Sequence, residues 1–283
     1  MENKLIFNIY RFQILPITQG EQLSLEFEKP LSHEELKHLK NEFFRKCIIN
    51  LSRFDYSRTA LTHEFEELSP DTYLLKIAAN RRIKRYRNFK DEKLENWPFC
   101  YILINNDPEV QKIAIQHHAR VFSNTDTVAK IIESNLNRCL VRYGLHLYVK
   151  PTFERNFFWD TVRKHREKVI NVEFELISPN LSTISKSLEV DLGKLYSLTN
   201  TQSTRLELNS DKESHLTLDE SNSMLKSLVD YSSEGGGNIS LKIKGIKKKV
   251  QTSSSVCSTE IDELDIKGSA KQVAAIIKEF LGD

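Results

Sequence analysis

The sequence predicts an α+β fold, with antiparallel or mixed sheets, a few amphipathic helices and two subdomains. Strand-like segments come in groups with no helix signal between them, the clearest group lying at 60–116. The helix signals are few, and each combines a capping residue with an apolar stripe. Grouped strands with segregated helices are typical of α+β proteins. The 283 residues, 39% of them hydrophobic, are enough for a sizeable core.

The chain opens with two predicted strands and a helix. Residues 5–17 are rich in Ile, Phe, Tyr and Leu and predict a strand ending near Pro16. Leu23–Phe27 alternates apolar with polar residues, which predicts a half-buried strand. Ser32 and Glu35 have the spacing of a capping box and predict the start of a helix.

The middle of the chain predicts a strand group followed by alternating elements. Asp126 is expected to cap a helix that ends before Gly144. In chain order, the other predicted elements are strands at Ala60–Leu68, Thr72–Ala78, Phe99–Ile104, Val110–Gln116 and Leu145–Val149, a short helix at Trp159–Lys168, and a strand at Val169–Ile177.

A change of composition near Ser178 predicts a boundary between a basic N-terminal α+β domain, 1–178, and a second domain, 179–283. The second domain is expected to be a Ser/Thr-rich segment followed by a β-rich part closed by a terminal helix. Its predicted elements are strands at Arg205–Leu208, Asn238–Lys249 and Glu263–Lys267, a flexible turn at Ser232–Gly237, and a helix that starts at Ser269 and buries Val273, Ile276, Ile277 and Phe280.

The most unusual segment is Lys76–Lys93, which carries eight Lys and Arg residues against two acids, with Tyr86 and Phe89 between them. Such a run attracts polyanions, because neutralised phosphates release counterions. Its candidate nucleic-acid contacts are Arg81, Arg82, Lys84, Arg85 and Arg87. The two aromatic residues are suited to stacking on bases. The alternative is a solvated hairpin whose charges are balanced by acids elsewhere.

Two further basic groups are candidate phosphate contacts. Alternation places Lys242 and Lys244 on one face of a strand, and this second group comprises Lys242, Lys244, Lys247, Lys248 and Lys249. Its alternative role is protection of a sheet edge against aggregation. The third group, Arg163, Lys164 and Arg166, is expected on a short helix, where it is alternatively a solvated face.

Catalytic motifs are sparse, since the sequence contains no GxSxG, HExxH or P-loop pattern. An acid, one spacer and a lysine at Asp265 and Lys267, with Asp262 upstream, suggest a Mg²⁺-dependent nuclease in which carboxylates hold the metal. The alternative is a polar edge on the last strand. Outside this hypothesis we expect no cofactor and no metal.

The four cysteines are widely separated and have no zinc-site spacing. Cys47, Cys100 and Cys139 lie in apolar runs, which predicts free thiols packed as small hydrophobic residues in a reduced, cytoplasmic protein. No apolar run reaches the ~20 residues of a membrane span. We therefore expect that, if the protein acts at a membrane, it does so through a partner.

One resemblance covers roughly Trp97–Asp283. The run Trp97–Ile104, a turn, the strand Val110–Gln116, a helix, and the later strands Val169–Ile177 and Asn238–Lys244 follow one another before a terminal helix. This order resembles the DNA-binding sensor subunit of the Rex phage-exclusion system and related bacterial phage-defence sensors. The resemblance implies sequence-independent DNA binding, a homodimer and a membrane-protein effector. It does not extend to the basic run at 81–87.

The leading hypothesis is a cytoplasmic protein that binds nucleic acid, double-stranded DNA above all, through its backbone and acts as a sensor in anti-phage defence. The charge distribution supports a polyanion-facing part, because residues 1–170 carry 28 basic against 22 acidic residues while residues 171–283 carry 13 against 17. A Mg²⁺-dependent nuclease and an interaction module for an acidic or phage-encoded protein are the alternatives.

Overall fold

The protein is represented by a computed structural model that describes residues 4–17, 31–178 and 201–282. Its thirteen described strands are β1 (Lys4–Pro16), β2 (Leu61–Ser69), β3 (Thr72–Ala79), β4 (Ile83–Arg87), β5 (Lys90–Leu94), β6 (Phe99–Asn105), β7 (Lys112–Gln116), β8 (Leu145–Pro151), β9 (Val169–Ile177), β10 (Ser203–Asn209), β11 (Gly237–Ile243), β12 (Val250–Gln251) and β13 (Ser258–Asp262). The described α-helices are α1 (His33–Ile49), α2 (Thr125–Leu140), α3 (Arg155–Lys164), α4 (Ser223–Tyr231), α5 (Glu263–Ile266) and α6 (Ala270–Leu281). The predicted α+β class is confirmed.

The described chain divides into two compact units. Unit 1 holds residues 4–8, 31–147 and 258–282, and unit 2 holds 9–17, 148–178 and 201–257. This division differs from the predicted boundary near Ser178, which falls inside unit 2. The reason is that β9 pairs with both β10 and β11, so the chain on either side of Ser178 belongs to one sheet.

Local sequence signals predicted several elements of the first 178 residues correctly or nearly so. The capping box of Ser32 and Glu35 is present, and β9 has the predicted bounds. Helix α2 begins at Thr125 rather than after Asp126, because the side chain of Asn124 accepts the hydrogen bond from the Thr127 N–H at 2.9 Å. The strand predicted at Leu23–Phe27 lies outside the described residues.

Several later predictions are wrong. The flexible turn expected at Ser232–Gly237 is a largely buried continuation of the unpredicted helix α4, and it breaks at Gly235, where φ is +85°. The strand predicted to run to Lys249 ends at Ile243, since Gly245 turns the chain at φ +88°. The strand predicted at Glu263–Lys267 is largely the helix α5, because Asp262 caps it. In α6 the Ser269 capping box is present, but Phe280 is exposed.

The seven-stranded sheet has the path β13-β1-β7-β6-β3-β2, with β8 also paired to β1. Its strands β3 and β6 are buried almost throughout, and the ladder between them is antiparallel. The side chain of Tyr73 on β3 is hydrogen-bonded to Asn106, which also bonds Asn41 of α1. Tyr101 on β6 points to the opposite face and interacts with Lys267 beside α6. Helices on both faces therefore cover the sheet.

Helices α1 and α2 of unit 1 pack together, and a disulfide joins Cys47 to Cys139 with their Cα atoms 5.7 Å apart. The expectation of free thiols at these two positions is wrong. The sequence gives no sign of the pairing, because each cysteine lies in the apolar stripe of its own helix and 92 residues separate them. Cys100 is a buried free thiol, and burial raises its pKa to about 12.

Unit 2 contains the four-stranded sheet β10-β9-β11-β12. Its inner face packs Val172 and Phe174 of β9 and Leu241 of β11 against apolar residues of α3 and α4. Helix α3 begins at Arg155 and ends at Lys164, earlier at both ends than the predicted helix. The outer face of the sheet carries polar and charged side chains that are buried or partly exposed, such as Asn171, Glu173 and Lys242.

Lys40 is the one buried lysine on α1, with 6% of its surface exposed. Desolvation by burial lowers its pKa from 10.5 to about 8, against the opposing effect of Glu109. The unfolded chain therefore binds more protons than the folded chain between these two values. In that window the free energy of unfolding rises with pH, and below about pH 8 the cost of burying the charge is fully present.

We expect Lys40→Met to remove this pH dependence and to raise the free energy of unfolding near neutral pH by up to about 3 kcal/mol. Urea titrations at about pH 7 and about pH 10 measure it. Lys130→Met, on the exposed side of α2, is the control and should keep the rise seen in the parent chain. An equal rise with pH in Lys40→Met would contradict the assignment.

Candidate nucleic-acid interface

The basic run forms a separate two-stranded hairpin between β3 and β6 of unit 1. The strands β4 and β5 pair antiparallel, with Lys84 opposite Lys93 and Arg85 opposite Glu92. The two-residue turn between them, Asn88 and Phe89, has positive φ at both positions, 49° and 62°. This matches the turn geometry favoured in short hairpins. The run is thus a strand-to-strand connection, as expected, but it does not extend β3.

The hairpin is anchored at its base by Arg81. The Arg81 guanidinium donates from Nε to the Val121 carbonyl oxygen at 2.9 Å and also from Nη2 to the same oxygen. It lies 5.8 Å from the centroid of the Phe122 ring. The Arg81 backbone N–H donates to the Asn96 carbonyl at 2.7 Å, across the hairpin. Arg81 therefore serves to hold the hairpin rather than to meet a ligand.

The cations beyond the base are exposed. Arg82, Lys84 and Arg85 have exposed side chains, and among the described residues they make no ion pair. Arg87 pairs through its backbone with Lys90. Residues 81–94 carry seven basic residues and only two acids, Asp91 and Glu92. The hairpin therefore carries a dense positive charge, and its described side chains form no ion pair that would neutralise it.

Aromatic and aliphatic residues are exposed along the same hairpin. Phe89 is fully exposed at the turn, Tyr86 is 73% exposed, and Ile83 is 51% exposed. A bulky residue at positive φ is uncommon and is strained relative to Gly or Asn. Phe89 thus combines an unfavourable backbone conformation with an uncovered apolar ring. Both features are expected where a side chain meets a partner rather than the protein core.

The second predicted group lies in unit 2, at the outer face of the sheet. Lys242 is opposite Asn171 in the β11–β9 ladder, and its Nζ donates to the Lys247 carbonyl at 3.0 Å. Lys249 Nζ lies 2.7 Å from Glu173 Oε2. Lys242 therefore stabilises the turn that follows β11, and the charge of Lys249 is neutralised by Glu173.

The lysines of this group that line a cleft are accompanied by acids. The cleft has a volume of about 610 Å³ and includes Lys242, Lys244, Lys249 and, unpredicted, Lys212. Its acids are Glu207, Asp211 and Glu213. Lys247 and Lys248 are exposed in the turn beyond it. The mixed charge makes this surface a weaker candidate for phosphate than the hairpin. The sequence analysis missed Lys212, because only the β10–β9 pairing brings its turn to this cleft.

The third group is divided between a helix end and a turn. Arg163 is paired with Asp160 at 2.7 Å and with Glu220 at 3.3 Å, and its hydrogen bond to Asp160 raises its pKa. Lys164 is the last residue of α3 and is exposed. Arg166 lies beyond the helix end, so the expectation that one short helix carries all three residues is wrong.

The nuclease hypothesis loses its structural basis. Asp262 Oδ1 accepts a hydrogen bond from the Leu264 N–H at 2.9 Å as the cap of α5. Lys267 Nζ lies 2.7 Å from Glu263, and Asp265 is on α5 rather than on a strand. Within residues 4–17, 31–178 and 201–282, no cluster of three or more His, Cys, Asp or Glu is arranged to hold a metal ion.

Comparisons with protein-family models, with curated proteins and with solved structures found no match. The resemblance to phage-exclusion sensors therefore stays a prediction. In the part of the chain that the structure describes, no helix has the length and apolar character needed to cross a membrane.

We expect Arg81→Ala to loosen the hairpin without unfolding unit 1. Loss of a charge-assisted hydrogen bond costs about 1.5–3 kcal/mol, which corresponds to roughly ten- to hundredfold more frequent local opening. Amide hydrogen exchange of residues 83–94, read by mass spectrometry, measures this. Arg82→Ala removes an exposed neighbour and is the control. Equal exchange in the two variants would show that Arg81 is not the anchor.

Proposed function

We propose that this protein binds nucleic acid, duplex DNA above all, through phosphate contacts made by the β4–β5 hairpin. The observation that supports this most directly is the state of the hairpin cations. Arg82, Lys84 and Arg85 are exposed on a discrete hairpin, and the described part of the chain supplies no ion-pair partner for them. Arginine suits phosphate because its planar fork donates two parallel hydrogen bonds.

The shape of the hairpin favours a duplex over a single strand. Two-stranded β-ribbons bind in the major or the minor groove of duplex DNA. The β4–β5 ribbon has five paired positions on each strand and lies outside the larger sheet. Cations on both of its strands, such as the directly opposite Lys84 and Lys93, then lie side by side on one face of the ribbon, where both are available to phosphates.

Phosphate contacts make the affinity depend on salt and little on sequence. For about three to five contacts, the logarithm of the association constant should fall with the logarithm of salt concentration with a slope of roughly −3 to −5. We expect Lys84→Gln/Arg85→Gln to make this slope shallower by about 2. Fluorescence anisotropy with unrelated duplexes of equal length, at several salt concentrations and with EDTA present, measures both.

The control for this variant removes the same charge elsewhere in unit 1. Lys130→Gln/Lys278→Gln changes two exposed helix residues and should leave the slope unchanged. An equal loss in both variants would indicate only a net-charge effect. Absence of binding at low salt would overturn the proposal, and an acidic protein that copurifies after nuclease treatment would then favour the interaction-module alternative.

Phe89 should contribute to binding as an apolar wedge at the hairpin tip. Apolar side chains inserted between base steps unstack them and kink the duplex. We expect Phe89→Ala to weaken duplex binding by about tenfold, in line with the 1–3 kcal/mol of aromatic–base stacking, and to reduce DNA bending in an end-labelled energy-transfer assay. Phe89→Trp should keep both properties. Full binding and bending by Phe89→Ala would exclude a wedge.

A sensor role in anti-phage defence, a homodimer and a membrane-protein effector are part of the proposal only through the resemblance. Lys242 and Lys244, on the strand at 239–244, are the lysines that the resemblance supports, and the hairpin at 81–87 lies outside it. Cytoplasmic localisation likewise stays a prediction. Disulfides persist mainly in oxidising compartments, so the Cys47–Cys139 disulfide weighs against the predicted cytoplasmic localisation.

A further inference from the structure

A second positively charged site in unit 1 surrounds the disulfide. A cleft of about 490 Å³ is lined by Cys47 and Cys139 together with four cations, Lys46, Arg53, Arg138 and Arg142. The only acid among its lining residues is Asp55, which pairs with Arg138 and, at 3.3 Å, with Arg53, while Lys46 pairs at 2.7 Å with Glu42 outside the lining. Among the described residues, Arg142 makes no ion pair. The cleft is therefore electropositive.

The two cysteines differ in exposure. Cys47 is 1% exposed, whereas Cys139 is partly exposed. Each cysteine lies in the last turn of its helix, α1 or α2, where the helix dipole disfavours a negative charge. Cations beside a sulfur lower the free energy of its thiolate. The four cations of the cleft thus offset the helix ends and favour a thiolate leaving group.

We propose that this cleft is a thiol–disulfide exchange site that accepts a low-molecular-weight thiol bearing carboxylates. The thiolate of the small molecule attacks Cys139 Sγ, the S–S bond breaks, and Cys47 leaves as a thiolate that takes a proton from water. A second small thiolate then attacks the mixed disulfide and releases Cys139. Two small thiols are oxidised to one disulfide, and the two-electron reduction removes the covalent link between α1 and α2. The cations attract the carboxylates of the incoming thiol.

The first experiment compares the reduction of the intact protein by glutathione, an anionic thiol, and by cysteamine, a cationic one, at equal thiolate concentrations. Samples are quenched, denatured and alkylated. The disulfide-bonded chain carries two labels, at Cys100 and Cys257, and the reduced chain carries four. We expect glutathione to react on the order of tenfold faster at low salt, with the advantage lost at high salt.

Charge variants identify the cations responsible. Arg53→Gln/Arg142→Gln should lose most of the preference for glutathione, whereas Lys130→Gln, on α2 outside the cleft, should keep it. Equal rates with the two thiols in the parent chain would overturn the proposal. Four labels in the chain after incubation with oxidised glutathione would overturn it as well, since the disulfide would then not form.

A second experiment tests which sulfur is attacked. In Cys47→Ser the remaining Cys139 should form a mixed disulfide with oxidised glutathione, and in Cys139→Ser the buried Cys47 should not. Peptide mapping separates these adducts from any at Cys257. The opposite pattern would refute attack at Cys139. If neither variant folds, the rate comparison on the parent chain decides alone.

Discussion

Unit 1 depends on the burial of strands β3 and β6 on both faces. Seven of the eight residues of β3 are buried, and so are six of the seven residues of β6. Fully burying a Leu, Ile or Phe side chain stabilises the folded state by about 1.5–3 kcal/mol. That gain requires cover on each side of the sheet, which α1 and α6 supply. The close packing of α1 and α2 in turn brings Cys47 and Cys139 together.

The same constraint explains why the basic run forms its own hairpin. The strands β4 and β5 carry exposed arginines and lysines on both faces. They could not join a sheet that is covered on both sides, since burying unpaired charge is costly. A two-stranded hairpin is only marginally stable in isolation. The bonds from Arg81 to Val121 and Asn96 supply a fixed base. The charge density is therefore kept in solvent on a supported element.

The first and second predicted basic groups, on the hairpin and in unit 2, differ in the residues that lie directly opposite their cations. In unit 2, Glu173 is central to the outer face and is contacted by Lys249 and Arg205, and its hydrogen bond to Lys249 lowers its pKa. On the hairpin, Lys84 is opposite another lysine and Asp91 is opposite Tyr86, and although Arg85 is opposite Glu92, the described side chains form no ion pair there. Like charges in register repel each other unless an anion lies nearby. Register, more than the number of lysines, therefore separates the stronger candidate from the weaker one.

The sequence by itself determined the features that depend on near neighbours: the α+β class, the capping boxes at Ser32 and Ser269, the bounds of β9, and the concentration of charge at 81–87. These follow from hydrogen bonds and alternation within a few residues. The tertiary structure alone decided the features that join distant segments. These include the disulfide across 92 residues, the anchoring of Arg81 by Val121, and the pairing of β9 with both β10 and β11. Local pattern carries no information about such partners, because only packing of the whole unit brings them within reach.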